Sequence, residues 1–266
     1  PLESTFIPLI EPHRGEPAVT GVPRLTEPTG AEGLVALAIE RGDEIDYVFQ
    51  SPDPAAAYSV GADRFQGRLG VVSRDRDGHI RFAYLLSGRA LHQGDLVIET
   101  PGPYEGEIVA IDFDNRQVTV RLDDGSTASA VEGFLGQRMV IYNEHHATEY
   151  LVEAVTAGTD GLYQLTLGDT EFLTGMGELR SVAVDADEGV TLLNARTPFP
   201  LSGTYYKGQW LVNAATGDGG RILEFAGSGG HIRVDSAQLN LQAGDTFRVY
   251  DFGVGDRFEI ASSVLL

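Results

Sequence analysis

The sequence predicts an all-β fold, made of two stacked antiparallel β-sandwich modules with little or no helix. Apolar and polar residues alternate through most of residues 104–155, which is typical of β-strands with one buried face. Each alternating run stops at an Asx or glycine turn, as in a β-meander. The same pattern continues on both sides, and no long helical periodicity appears in the 266 residues.

The first module is assigned to residues 1–102. Residues 34–40 form a short apolar run between Gly33 and Gly42, which favours a buried strand over a helix. Residues 75–78 predict a hairpin turn. Two prolines around Gly102 would stop any β-ladder, so the domain boundary is placed there. The strands expected in this module are 4–12, 19–25, 34–40, 45–50, 65–74 and 79–86.

The second module is assigned to residues 103–266.

A Gly-Asp pair precedes several strands of both modules, at 94–95, 168–169, 244–245 and 255–256. Glycine adopts positive φ and aspartate bonds to the backbone two residues on, so the pair leads from a turn into a strand. The pairs have no fixed spacing, and we do not interpret them as a repeat. The strands expected in the second module are 104–112, 117–121, 137–142, 148–155, 163–167, 179–184, 190–193, 210–213, 221–225, 231–234, 245–250 and 257–260.

Composition and charge exclude several classes of function. The formal charge of −20 and the pI near 4.5 argue against nucleic acid as a partner, because phosphate binding needs a basic face. A local basic groove could still hold a polyanion. The chain has no cysteine, which excludes disulfides, thiolate metal sites and cysteine nucleophiles. No run of about eighteen apolar residues exists, so we expect no membrane partner.

The densest polar cluster, residues 143–149, contains the adjacent histidines His145 and His146. Neighbouring side chains of a strand point to opposite faces, so the two imidazoles are poorly placed to bind one metal ion. One histidine with Glu149 could form a metal or acid/base site; the alternative is a polar hairpin loop. Residues 75–78 and 185–189 resemble fragments of calcium loops, but both also fit ordinary acidic turns. We therefore expect no cofactor, with structural calcium or zinc as the alternative.

One group of aromatic residues is a candidate for sugar binding. Tyr205, Tyr206 and Trp210 lie close together in sequence, with Lys207 among them. Aromatic faces beside a basic group can stack on sugar rings and hold an acidic substituent. The alternative is an amphipathic strand that places these aromatic side chains in the core.

A second candidate group is His13 with Arg14, in the loop after the first expected strand. A histidine and an arginine at this point could line a cleft for an acidic sugar; the alternative is an ordinary loop at a strand end. Single serines are present, but no serine, histidine and aspartate arrangement can be identified from their spacing. We therefore predict no catalytic residue.

Several short segments of the chain carry a family resemblance: residues 5–17, 46–51, 65–72, 104–106 with the meander, and 250–256. Together they resemble the β-sheet half of heparinase II/III-like polysaccharide lyases. The resemblance implies an enzyme that pairs an α/α-toroid with antiparallel β-sandwiches and cleaves uronate polysaccharides by β-elimination. No residue here matches the catalytic tyrosine, histidine or asparagine motifs of that family, so none is carried over. The helical repeats of a toroid are also absent from the sequence.

The resemblance leads to two alternative functions. The first is the β portion of a secreted or periplasmic bacterial polysaccharide lyase, whose partners would be an acidic polysaccharide and the toroid domain of the same protein. The second is a free-standing carbohydrate-binding or adhesion module that uses the aromatic group around Trp210. In the first case, the chain alone is expected to lack activity, because the catalytic half is missing.

Overall fold

The computed structural model describes residues 10–11, 15–25, 33–123, 133–168, 170–196, 203–226, 230–236 and 239–266. Regular structure in this part of the chain is almost entirely antiparallel β-strand, so the all-β prediction is confirmed. The chain divides into unit 1, Pro1–Pro103 with Ala261–Leu266, and unit 2, Tyr104–Ile260. The end of the chain therefore returns to unit 1. The strand expected at 4–12 lies mainly outside the described residues.

Unit 1 is a sandwich of two sheets. Its strands are β1 (Val19–Gly21), β2 (Val35–Arg41), β3 (Glu44–Gln50), β4 (Tyr58–Val60), β5 (Asp63–Gln66), β6 (Leu69–Asp75), β7 (Ile80–Leu86), β8 (Ala90–Gln93), β9 (Leu96–Glu99) and β22 (Ser263–Leu265). The larger sheet has the order β1-β2-β3-β6-β7-β22, and the smaller one β4-β5-β8-β9. Phe49 of the larger sheet stacks on Phe65 of the smaller one at 5.6 Å, and both are fully buried. The buried strand predicted at 34–40 is confirmed as β2.

A buried arginine links the two sheets of unit 1. Arg74 of β6 donates from Nε to Gln93 Oε1 at 2.6 Å and from Nη2 to the Gln93 carbonyl at 2.7 Å. Its Nη1 donates to Gly78 O at 2.6 Å, and its Nη2 also contacts Asp95 Oδ1 at 2.7 Å. Four of the five N–H donors of this buried guanidinium are therefore hydrogen-bonded, which offsets its desolvation.

Unit 2 contains two closed, six-stranded barrels. Barrel A consists of β10 (Tyr104–Asp112), β11 (Gln117–Leu122), β12 (Arg138–Tyr142), β13 (Ala147–Ala157), β14 (Leu162–Gly168) and β21 (Arg257–Ile260). Barrel B consists of β15 (Leu173–Asp185), β16 (Val190–Ala195), β17 (Trp210–Asn213), β18 (Gly219–Ala226), β19 (His231–Val234) and β20 (Thr246–Tyr250). The structure thus differs from the sandwich predicted for residues 103–266, because each sheet closes on itself.

The two barrels share one topology. Barrel A has the order β10-β11-β14-β13-β12-β21, and barrel B the order β15-β16-β19-β18-β17-β20. Numbered within each barrel, both orders are 1-2-5-4-3-6. All of barrel B lies in sequence between the fifth and sixth strands of barrel A. The Gly-Asp pair at 244–245 precedes the sixth strand of barrel B, and the pair at 255–256 precedes the sixth strand of barrel A. The two pairs are therefore equivalent positions of a structural repeat. Their spacing in sequence is irregular because barrel B is inserted into barrel A.

Equivalent glycines occupy the corner before the third strand of each barrel. Gly136 of barrel A has φ +74° and Gly208 of barrel B has φ +87°. The amide of Gly136 donates to Val152 O at 2.9 Å, and that of Gly208 donates to Ile222 O at 2.8 Å. A β-bulge follows each of these two acceptor residues in the fourth strand. The repeat therefore extends from strand order to individual hydrogen bonds.

Bulges explain why these sheets close. In the first strands a bulge follows Ile108 in barrel A and Leu179 in barrel B. A bulge bends its strand and increases the local twist, which brings the edges of a sheet together. Gly106 permits a further close approach, since a Cβ there would lie 2.0 Å from Arg121 O. The alternation of apolar and polar residues is the same in a sandwich and a barrel, so it could not predict closure.

One helix interrupts the strands of barrel B. Helix α1, Gly203–Tyr206, is a single turn that contains Tyr205 and Tyr206, so the strand considered above for these two residues is wrong. Among the described residues, no helix has the length and apolar character needed to cross a membrane.

Candidate binding sites at the barrel junction

A turn of barrel A covers a corner of barrel B. The turn, residues 143–146, joins β12 to β13, and the corner is residues 207–208 before β17. Asn143 Oδ1 accepts the amides of His145 and His146 at 2.9 and 3.1 Å. Asn143 Nδ2 donates to Gly208 O at 3.2 Å, and His146 Nε2 lies 2.5 Å from Lys207 O. A carbonyl oxygen can only accept a hydrogen bond, so Nε2 of His146 carries the proton. The side chains of Asn143 and His146 therefore both hold the turn of barrel A on the corner of barrel B.

A buried ion pair fixes the same junction. Asp256, just before β21, is 2% exposed and accepts the amide of Gly253 at 2.8 Å. Its Oδ1 pairs with Arg221 Nη2 of β18 at 2.7 Å, and Arg221 Nη1 donates to Gly208 O at 2.8 Å. Loss of either partner would leave a desolvated charge, so the pair ties barrel B to the start of the last strand of barrel A.

The single tryptophan packs at this junction. Trp210 of β17 lies against the core of barrel A, although β17 belongs to barrel B. A Cβ on Gly219 would lie 2.2 Å from its Nε1, and a Cβ on Gly253 would lie 2.2 Å from its Cε3. Arg221 Cζ is 5.5 Å from the ring centroid, a cation–π distance. The indole fits only because two glycines lack side chains.

We call the first of two openings at the junction the basic cleft. It has a volume of about 880 Å³ and lies between the 143–146 turn of barrel A and strands β18 and β19 of barrel B. Its charged lining consists of Lys207, Arg221, Arg233, Arg257, Glu144 and Asp256. Two of the four cations, Arg233 and Arg257, also pair with the carboxylates of Glu188 and Asp123 just outside the lining.

We call the second opening the Arg248 groove. Three adjacent cavities of about 660, 360 and 330 Å³ all have Arg248 of β20 as a wall. The Arg248 side chain is 41% exposed, and its Nη1 lies 3.4 Å from Asp114 Oδ1 and 3.5 Å from Tyr250 Oη. These long contacts use one nitrogen of a guanidinium that carries five N–H donors. The groove therefore presents available donors at its centre.

The rest of the lining of the Arg248 groove combines polar side chains with an aromatic and apolar part. Phe113 lies flat on Tyr250, with ring centroids 3.7 Å apart and planes 9° apart. Trp210 lines the largest cavity, and Met176, which is 59% exposed, lines the two smaller ones. Apolar surface beside convergent polar groups is typical of ligand sites.

A buried carboxyl group lies beneath the junction. Tyr150, which is fully buried, donates its hydroxyl to Asp251 Oδ2. Burial raises the pKa of Asp251 above its ordinary value, and burial likewise raises the pKa of Tyr150. Within the described residues Asp251 Oδ1 has no hydrogen-bond partner. Ionisation of Asp251 therefore lowers the stability of the folded protein.

The three predicted sugar-binding aromatics do not share one exposed face, although the rings of Tyr205 and Tyr206 lie 5.0 Å apart. Tyr206 is 1% exposed and packs on Phe225 at 4.7 Å, so it belongs to the core of barrel B. Tyr205 is 41% exposed and lies edge-on to His146 at 6.3 Å. Trp210 alone lines one of the two openings described above, so the expected three-residue platform is not formed. His13 and Arg14 lie outside the described residues.

The predicted polar clusters have structural roles. Asn143, Glu144 and His145 line the basic cleft, and the 143–146 turn confirms the polar hairpin loop considered above. At 75–78 the hairpin turn is also confirmed. Potential ligand atoms of Asp75, Asp77 and His79 lie within 4.8 Å of one another there. The amide of His79 donates to Asp75 Oδ1 at 2.9 Å and lowers the pKa of Asp75, as expected in a hydrogen-bonded turn.

Sequence reasoning missed the residues that line the two openings most prominently. Arg221, Arg233 and Arg248 each lie in a strand that was predicted, at a position of intermediate burial. Alternation identifies such positions as outward-facing. It does not reveal that these outward faces meet another barrel, which is what turns them into cleft walls.

Comparison of this chain with protein-family models, with curated proteins and with solved structures finds no match.

Proposed function

We propose that unit 2 is a non-catalytic module that binds an acidic polysaccharide in the Arg248 groove. The observation that carries the proposal is the position of Arg248, which forms a wall of all three adjacent cavities. A series of cavities suits an extended ligand such as a sugar chain better than a compact metabolite.

The chemistry of Arg248 favours a carboxylate ligand. A guanidinium binds a carboxylate through two parallel N–H···O bonds, and in the described part of the chain the hydrogen bonds and the ion pair of Arg248 all use Nη1. Asp114, the acidic partner at 3.4 Å, is 87% exposed and can move aside. A uronate carboxylate would therefore find a charged donor pair at the centre of the groove.

The walls of the groove favour a sugar ring. The Phe113–Tyr250 stack and the exposed Met176 give apolar surface in the same cavity as Arg248. The C–H faces of a pyranose pack on such surface, while its hydroxyl groups can bond to Asp114. The net charge of −20 argues against a densely charged polymer, so sparse carboxylates are the better match.

The test is calorimetric titration with a uronate oligosaccharide and with a neutral oligosaccharide of equal length. We expect the uronate to bind more tightly and Arg248→Gln to weaken its binding by about 10- to 100-fold, since a charge-assisted hydrogen bond contributes about 1.5–3 kcal/mol. Arg138→Gln is the matched control, because Arg138 is an exposed arginine of β12 that pairs with Glu149 at 3.5 Å. Equal binding of both sugars, or equal binding by both variants, would contradict the proposal.

The family resemblance supports a narrower assignment. We propose that the natural setting of such a module is the β portion of a secreted polysaccharide lyase whose toroid is supplied elsewhere. The same titration mixtures, followed by ultraviolet absorbance, should then show no unsaturated uronate. Turnover by this chain alone would overturn the non-catalytic assignment.

A further inference from the structure

We infer that the basic cleft is a second and separate binding site, for a tetrahedral oxyanion of the phosphate or sulfate class. The site lies on the β18–β19 side of the junction, whereas the Arg248 groove is lined by β17, β20 and the turn after β10. The inference does not depend on the polysaccharide proposal.

The arginines of the basic cleft are held in place before any ligand binds. Arg233 pairs with Glu188 at 2.7 Å, and Arg257 Nη1 donates to Asp123 at 2.9 Å. Both carboxylates lie outside the cleft lining, while both guanidinium groups belong to it. Arg221 is fixed from below by the buried carboxylate described above. Pre-positioned donors lose little conformational entropy on binding, which favours a compact anion.

Lys207 supplies the mobile charge of the site. Its backbone carbonyl is held by His146 at 2.5 Å, whereas its side chain is exposed and forms no ion pair with any residue that the structure describes. The position of the backbone is thereby fixed at the rim of the cleft while the ammonium group stays free to move. Fixed arginines with one mobile lysine can surround the oxygens of a tetrahedral anion.

Charge screening limits the influence of distant carboxylates on this site. The Debye length is about 8 Å at physiological ionic strength, so distant carboxylates contribute little to the potential inside the cleft. The lining carries four cations and two carboxylates, and the two ion-pair partners outside it, Glu188 and Asp123, bring the local balance to four cations and four carboxylates. A tetrahedral oxyanion would therefore bind through Lys207 and through arginine N–H donors that these ion pairs leave uncommitted, rather than through an excess of positive charge.

The test uses the fact that Lys207 is the only lysine in the sequence. An amine-acylating reagent therefore modifies Lys207 and the α-amino group, and mass spectrometry separates the two. Acylation is followed in pyrophosphate, sulfate or chloride at equal ionic strength. Bound anion should slow acylation of Lys207 about tenfold at a concentration near ten times Kd, with no change at the α-amino group. Equal Lys207 rates in all three salts would overturn the inference.

Variants connect the protection to the cleft. Arg233→Gln should reduce the protection, because it removes a cation from the lining. Arg196→Gln is the matched control, since Arg196 also forms an exposed pair with a glutamate, Glu178, at 3.0 Å but does not line the cleft. Equal protection in the two variants would place the anion elsewhere and overturn the inference.

The salt arms of the same experiment identify the source of the oxyanion. Protection by pyrophosphate alone indicates a phosphorylated ligand, protection by sulfate alone indicates a sulfated one, and protection by both supports the shared chemistry. None of these outcomes involves Arg248, so this test and the test of the polysaccharide proposal can fail separately.

Discussion

The equivalent glycines of the two barrels allow the barrel junction to be tested by a matched pair of substitutions. Gly208→Ala and Gly136→Ala introduce the same methyl group at the same place in the same topology, with φ +87° and +74°. At Gly208 the new Cβ would lie 2.9 Å from His145 Cβ and 3.0 Å from Asn143 Oδ1. At Gly136 nothing in the described part of the chain lies within 4 Å.

The structure gives the expected magnitudes. Both variants should lose about 1–2 kcal/mol of unfolding free energy, because a side chain at positive φ is strained. Gly208→Ala should lose about 1–3 kcal/mol more, since the methyl group must displace the turn of barrel A. The atoms at 2.9 and 3.0 Å are His145 Cβ, which is attached directly to the backbone, and Asn143 Oδ1, which accepts a backbone hydrogen bond. Neither atom can move without shifting the turn.

Urea unfolding followed by the fluorescence of Trp210 is a suitable assay, since this single tryptophan packs at the junction. With a slope of about 2 kcal/mol per molar urea, the excess cost would lower the midpoint of Gly208→Ala by about 0.5–1.5 M relative to Gly136→Ala. Equal midpoints for the two variants would show that the turn does not pack on the corner as described, and would refute the reasoning.

Two further predictions concern buried charges. Arg74→Ala should destabilise unit 1 by about 3 kcal/mol, because Gln93 loses its buried partner. The control Arg76→Ala removes an exposed ion pair and should cost less than about 0.5 kcal/mol. Equal urea midpoints for the two variants would contradict this prediction. Asp251→Asn should stabilise unit 2 at pH 7. Burial raises the pKa of Asp251, so wild-type stability falls as the pH rises from the ordinary value near 3.8 through the folded pKa. The advantage of the variant should therefore shrink on acidification, and a variant less stable than wild type at pH 7 would count against an ionised, poorly solvated Asp251.

The candidate sites were only partly predictable from the sequence. Trp210 was singled out for its residue type, and it does line an opening, but its expected partner Tyr206 is in a core. The hairpin loop, one of two alternatives for the histidine cluster, is confirmed, yet its contact with Lys207 joins residues 61 positions apart. Arg248 and Asp114 lie 134 positions apart and meet only because the turn of one barrel faces a strand of another.

The sequence by itself determined the strands. Period-two burial and turn chemistry act over a few residues, so β2 and the meander are readable from local pattern. The tertiary structure decided closure, the nesting of barrel B in barrel A, and both openings between them. These features depend on bulges, such as the one after Val152, and on pairing between strands that are distant in sequence. For example, β10 pairs with β21, and the whole of barrel B lies between them in sequence. Local sequence preferences do not determine which strands pair. One set of strand pairs is selected because it alone buries both barrel cores and the Trp210 contact at the same time.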